Sequence, residues 1–262
     1  MSPRRLGQHF LADASWRTRI LGLLGARPED VWLEIGAGHG EMTRELARAA
    51  ARVVAIELDP PLVEALRRLA RELPSVEVVP GDILALDLAR ILTAGARVYG
   101  NLPYYITSPI LARLFQHADR IASIHVVIQL EVAERIAARP GRREYGYLSV
   151  LAQFYSQPQI LLRLPPGAFR PRPKVASALV GLKMPGARTA LEIADEPRFL
   201  KFVQTCFTHK RKTLANNLRA HFTTEEVVAM LKVAGVPVKV RAEELSLAQF
   251  AALCQNSCSG RL

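Results

Sequence analysis

From Val31 to about Lys183 the chain alternates short runs rich in Val and Ile with helical patterns, and nothing else in the sequence limits the possible folds as much. The runs are Val31–Ile35, Arg52–Ile56, Val76–Val79, Arg97–Tyr99 and Ile124–Gln129. Between them lie the helical patterns Glu41–Ala50, Pro61–Glu72 and Pro109–His117, the last with Ser108 as the expected N-cap and Pro109 at the first helical position. Strands separated by helices predict a mostly parallel sheet covered by helices on both faces. Gln159 to Lys183 reads instead as two strands around a Pro-rich loop. Beyond Met184-Pro185-Gly186 the pattern becomes helical, with capping boxes at Thr223…Glu226 and Ser246…Gln249. The expected architecture is an α/β sheet domain over residues 1–185 and a small all-helical domain over 186–262.

With 262 residues, half of them hydrophobic, the chain can bury a full core, which excludes a disordered protein. Its 35 Lys and Arg against 24 Asp and Glu leave a net charge of +11, which points to a polyanionic partner. No apolar run is long enough to span a membrane, and Ile20 to Leu24 is too short for a signal-peptide core. The three cysteines, Cys206, Cys254 and Cys258, form neither a disulfide framework nor a zinc spacing with the scattered histidines. No metal is expected, and a reducing cytoplasm is the expected location.

The first strand runs directly into Glu34-Ile35-Gly36-Ala37-Gly38-His39-Gly40 and then a helix. Glycines here allow a tight turn and close approach of a ligand to the main chain. The nicotinamide fingerprint would need its third glycine where Glu41 stands, whereas Gly-x-Gly-x-Gly suits S-adenosylmethionine, which has no pyrophosphate to seat. Glu57 ends the second strand, where an acid holds ribose hydroxyls, and Asp82 follows the third, where it could accept from an adenine amino group. Singly, each acid reads as a solvated loop residue; in this order, at successive strand ends, they read as a cofactor site. The fourth strand delivers Asn101-Leu102-Pro103-Tyr104 to the same edge. This tetrapeptide can be an ordinary strand-ending turn. It can equally grip an exocyclic amine: the Asn101 side-chain oxygen and a carbonyl of Leu102 or Pro103 each accept an N–H, and Tyr104 offers a face for a nucleobase.

In these blocks the chain resembles the KsgA-type small-subunit ribosomal RNA adenine N6-dimethyltransferases. The likeness spans nearly the whole sequence: Gly7-Gln8-His9-Phe10-Leu11, Glu34–Gly38, Ile56–Asp59, Gly81-Asp82, Asn101–Tyr104, Tyr145–Ser149, Phe169–Val175, Lys210–Leu214 and Arg241–Ser246. It implies a Rossmann-like methyltransferase sheet, S-adenosylmethionine as cofactor with S-adenosylhomocysteine as product, and two methylations on each of two adjacent adenosines in the 3′-terminal hairpin loop of small-subunit rRNA. It further implies cofactor contacts at His9, Leu11, Gly36, Glu57, Asp82 and Asn101, to which the glycine turn adds Gly38, with Phe169 facing Tyr104 across the target base. His9 stands where many relatives have Asn, and Leu130 where a Lys is common.

Tyr145 to Leu191 contains no acid but carries Arg163, Arg170, Arg172, Lys174, Lys183 and Arg188; Lys201 to Arg219 is likewise acid-free and holds Lys210-Arg211-Lys212. Such clusters neutralise phosphates, so Arg170, Arg172, Lys174 and Lys210–Lys212 are candidate RNA contacts and the helical domain a candidate ribosome-binding module. The expected partner is small-subunit rRNA in a pre-30S-type particle, met by a monomer. Two alternatives stay open at this point: an Erm-type enzyme acting on large-subunit rRNA, and a protein whose main task is binding during ribosome assembly.

Overall fold

The computed structural model describes residues 9–257, so Gly7, Gln8 and Cys258 lie outside the described residues. The chain divides into two compact units, one comprising residues up to Ala133 together with Pro158–Met184, the other Glu134–Gln157 together with Pro185 onward.

The first unit holds β1 (Phe10–Leu11), α1 (Ala14–Leu24), β2 (Val31–Ile35), α2 (Glu41–Ala49), β3 (Arg52–Glu57), α3 (Pro60–Glu72), β4 (Val76–Pro80), α4 (Leu88–Ile91), β5 (Ala96–Asn101), α5 (Thr107–Phe115) and β6 (Ile121–Gln129). The returning segment adds β7 (Gln157–Leu164), whose first residue falls in the other unit, then β8 (Phe169–Arg170) and β9 (Ser177–Lys183). Seven strands form one sheet in the order β4-β3-β2-β5-β6-β9-β7, while β1 and β8 make a separate two-stranded ribbon. Strands β2 to β6 pair in parallel and β9 runs antiparallel to β6. The five expected parallel runs are all present, because each is bounded by turn residues and flanked by an amphipathic helix. The order reverses between β2 and β5, which places a crevice beyond the carboxyl ends of those strands.

One expectation fails locally. Ser108 does not cap α5; Ile106 occupies that position, and no side chain caps the helix. A 3₁₀ turn over Tyr104–Ile106 leads straight in, with Ile106 N–H and the Thr107 hydroxyl both donating to the Pro103 carbonyl, at 3.2 and 3.3 Å. The backbone supplies the first-turn partner that a cap side chain would otherwise provide.

The second unit contains the second half of α6 (Leu130–Ala137), which starts in the first, then α7 (Tyr147–Tyr155), α8 (Arg188–Leu191), α9 (Glu196–Cys206), α10 (Leu214–Leu218), α11 (Thr224–Val233) and α12 (Leu247–Gln255). Both expected capping boxes form, Thr223 with Glu226 and Ser246 with Gln249. Phe199, Phe202 and Val203 are fully buried, with Phe199 against Phe154 and Phe207 against Phe250 at ring separations of 5.1 and 5.6 Å. No helix among the described residues is long and apolar enough to cross a membrane.

Candidate active site

Parallel pairing brings Ile35, Glu57, Pro80 and Asn101 to one edge of the sheet, since Ile35 pairs with Ile56 and Gly100, and Glu57 with Pro80. The turn after β2 is tied down by Gly36 and Ala37 N–H groups donating to the Ile56 carbonyl at 2.9 and 3.2 Å. Gly36 and Gly38 both have positive φ, 68° and 60°, and a Cβ on Gly38 would come within 2.9 Å of the Phe10 ring. Only glycine holds this turn without strain.

Glu57 is 2 % exposed and is the hub of the turn. One carboxylate oxygen accepts from Leu58 and Asp59 N–H at 2.8 and 3.0 Å, and the other accepts from Gly38 N–H at 2.8 Å. A carboxylate offers about four acceptor positions, so one is left open on Glu57, which lines a cleft with Gly36, Asp82, Pro103 and Tyr105, a space of about 490 Å³ open to solvent. Asp82 accepts from Leu84 N–H through Oδ1 at 2.9 Å, and its Oδ2 has no partner among the described residues. Exposed Leu58 and Tyr105 give this cleft apolar walls. An acid for sugar hydroxyls, an acid for an amine and flanking apolar surface fit the adenosine half of S-adenosylmethionine.

A second cleft shares Gly36 with the first and is lined also by Leu11, Arg17, Glu34, Tyr99 and Asn101. Burial is the main reason the Glu34 carboxyl is pushed up to about 8, with the Glu41 and Glu57 carboxylates adding to the shift and the Thr43 hydroxyl opposing it. Its Oε2 is buried without a hydrogen-bond partner among the described residues.

A third cleft is formed by His9, Phe10, Gly36 and Asn101–Tyr104. Asn101 Nδ2 donates to the His9 carbonyl at 2.6 Å. Because a carbonyl only accepts, this contact fixes which end of the amide is which and leaves Oδ1 as a free acceptor. The Pro103 carbonyl is taken by the start of α5, so the backbone acceptor left for a substrate amine is that of Leu102, whose own N–H donates to Val127 at 3.0 Å. Tyr104 is anchored by its hydroxyl to Ser177 Oγ at 2.8 Å.

The ring over Tyr104 is His9, at 5.6 Å and 30° between planes, with its Nδ1 bonded to the Pro171 carbonyl at 2.7 Å. The expected partner, Phe169, does not lie there. Pairing of β8 with β1, with Leu11 opposite Phe169, turns that ring into the core beside Leu11, Leu164 and Leu179, where it is fully buried. The sequence analysis also missed Arg17, Phe10, Tyr99 and Tyr105 as cleft residues. Arg17 shares α1 with a second cation, Arg19, and nothing in the sequence singles it out.

Arg170, Arg172 and Lys174 are exposed on and after β8. Lys210, Arg211 and Lys212 lie on the exposed turn between α9 and α10 rather than on a helix face. That turn is held by buried Asn217, which donates to the Cys206 carbonyl at 2.7 Å and accepts from His209 N–H at 3.2 Å. Lys210 Nζ donates to the Arg143 carbonyl, joining this turn to the basic loop Arg139–Arg143.

A sheet of this order, with a glycine turn after its first parallel strand and acids at the next two strand ends, defines a Rossmann-like methyltransferase of the S-adenosylmethionine-dependent class. Sequence comparison then gives the family. The profile of the ribosomal RNA adenine dimethylases matches residues 2–257, and the chain belongs to that family. It is 45% identical over 255 residues to "Ribosomal RNA small subunit methyltransferase A" of Acidobacterium capsulatum, covering 95% of this chain and 89% of the relative. The protein of the same description from Koribacter versatilis is 40% identical over 263 residues, covering 95% and 92%. Among solved structures, the 23S rRNA methyltransferase ErmE superposes with a TM-score of 0.74 at 30% identity over 94% of this chain and 98% of that one. A dimethyladenosine transferase from Plasmodium falciparum gives 0.80 at 22% identity over 94% and 96%, a likeness of fold.

Proposed function

We propose that the protein dimethylates N6 of two adjacent adenosines in the 3′-terminal hairpin loop of small-subunit rRNA, acting as a cytoplasmic monomer on a pre-30S-type particle. The observation that carries this reading is the Asn101 amide, pinned by the His9 carbonyl so that Oδ1 and the Leu102 carbonyl stand as two acceptors beside the cofactor clefts. S-adenosylmethionine supplies the electrophilic methyl group. Gly36, Gly38, Glu57 and Asp82 would hold its adenosine, with Leu11 and the His9 backbone closing the other side.

The exocyclic nitrogen of adenine is a poor nucleophile because its lone pair is delocalised into the ring. Accepting both of its N–H bonds at Asn101 Oδ1 and Leu102 O favours a more pyramidal nitrogen with its lone pair turned toward the methyl group. The nitrogen becomes acidic as it is alkylated, so no strong base is required of the chain. Tyr104, fixed through Ser177, is the platform for the base, which must leave its own stack; a loop adenosine does so at lower cost than a paired one. Arg170, Arg172, Lys174 and Lys210–Lys212 are the proposed phosphate contacts. The small-subunit choice over an Erm-type target is supported by identities of 37–45% to relatives named for the small subunit, against 30% to ErmE. Mass spectrometry of unmethylated small subunits incubated with enzyme and S-adenosylmethionine should reveal dimethyladenosine in the 3′-terminal hairpin. Its absence, or its appearance in large-subunit rRNA instead, would refute the proposal.

A further inference from the structure

The cleft beyond Gly36 from the adenosine side is lined by an acid and a cation, Glu34 and Arg17. Glu34 is 2 % exposed, and its buried Oε2 has no hydrogen-bond partner among the described residues. Such an atom costs free energy unless a ligand brings it a donor. Arg17 is one of the two cations on α1. Its Nη1 donates to the Leu11 carbonyl at 2.8 Å, which fixes the guanidinium at the cleft and leaves Nη2 and Nε uncommitted among the described residues. Asp13, one turn earlier, accepts from Ser15 N–H through Oδ1 at 2.8 Å, and although the Arg17 charge helps to lower its carboxyl pKa, no salt bridge joins the two among the described residues. Glu41, exposed at the start of α2, is the other charged group lining this cleft.

A buried acid and an anchored guanidinium in one small cleft complement a zwitterion, in which an ammonium and a carboxylate are separated by one carbon. We infer that Arg17 is the residue that grips the α-carboxylate of the cofactor's amino-acid end, opposite Glu34, and so selects ligands that carry this end. A guanidinium fork suits a carboxylate because it can donate two parallel N–H bonds. The inference rests on the cofactor reading of the adjoining adenosine cleft. It concerns a different stretch of the ligand, so the two can fail separately.

The test is calorimetric binding of two ligands, S-adenosylhomocysteine and 5′-methylthioadenosine, to full-length wild type, Arg17→Met and Arg17→Lys. The second ligand keeps the adenosine and sulfur and lacks the amino-acid end. Arg17→Met should weaken S-adenosylhomocysteine at least about tenfold, which corresponds to about 1.4 kcal/mol, and leave 5′-methylthioadenosine unchanged, which also shows that the variant is folded. Arg17→Lys should recover part of the loss. Unchanged S-adenosylhomocysteine affinity in Arg17→Met, or an equal loss for both ligands, overturns the role of Arg17. Failure of the wild type to bind either ligand overturns the cofactor reading, and this inference with it.

Discussion

Replacing Glu34 with Gln should change how stability depends on pH, in a direction that the structure fixes. Burial raises this carboxyl from 4.5 to about 8, so the folded state favours its neutral form. The stabilisation from the proton held there is complete below about 4.5 and is lost as pH rises through about 8. Each pH unit in between costs the wild type about 1.4 kcal/mol, and the whole shift corresponds to roughly 5 kcal/mol. Gln has nearly the shape of the neutral acid and cannot ionise. The stability of Glu34→Gln relative to wild type should therefore improve by roughly 3 kcal/mol between pH 5.5 and pH 7.5. Urea unfolding of ligand-free protein, followed by tryptophan fluorescence at both pH values, measures that difference directly. Parallel stability profiles for the two proteins would show that Glu34 is already ionised in the folded state, and would refute the argument that its buried oxygen lacks a donor.

Asn101→Ala removes one of the two amine acceptors and should lower kcat by about 10²–10³-fold, the range for loss of a preorganised transition-state contact, as read from methyl incorporation into rRNA. Tyr104→Phe keeps the ring and loses only the Ser177 hydrogen bond, so it should cost about 1 kcal/mol of stability with near-normal turnover, whereas Tyr104→Ala should lose turnover. Gly38→Ala imposes a Cβ at φ 60° within 2.9 Å of Phe10, and should cost about 1–2 kcal/mol in thermal unfolding while weakening S-adenosylhomocysteine. Replacing Lys210, Arg211 and Lys212 with Ala should reduce the slope of log affinity against log salt by up to about two to three units, in filter binding to small subunits, with cofactor binding unchanged.

The sheet and its ligand edge were legible because they rest on local signals. Each parallel strand is a short apolar run with a turn behind it, and parallel pairing then forces Gly36, Glu57, Asp82 and Asn101 to the same edge whatever the side chains elsewhere do. What was not legible depends on contacts between distant segments. His9 reaches Pro171 and Asn101 across 162 and 92 residues of chain, and no periodicity encodes that meeting. Phe169 read as a loop residue because β8 is only two residues long and exists by pairing with the equally short β1. Ser108 read as a helix cap because the 3₁₀ turn that replaces it leaves no sequence mark of its own.

The two roles of His9 bear on how a base could reach Tyr104. Its carbonyl orients the Asn101 amide, and its imidazole covers the face on which the base is to stack. These belong to different parts of the residue. Rotating the imidazole away breaks the Nδ1 bond to Pro171 and the contact with Tyr104, at a cost of about 1–2 kcal/mol, comparable to what one stacked base returns, about 1–3 kcal/mol. The backbone carbonyl need not move during that rotation, so Asn101 Oδ1 stays aimed at the incoming amine. A base can thus replace the histidine ring at little net cost while the acceptor pair remains in place. The identity of the side chain at position 9 should therefore affect substrate KM far more than kcat. His9→Asn is the variant to measure: a drop in kcat at saturating RNA would mean that the side chain, and not the carbonyl alone, maintains the Asn101 geometry.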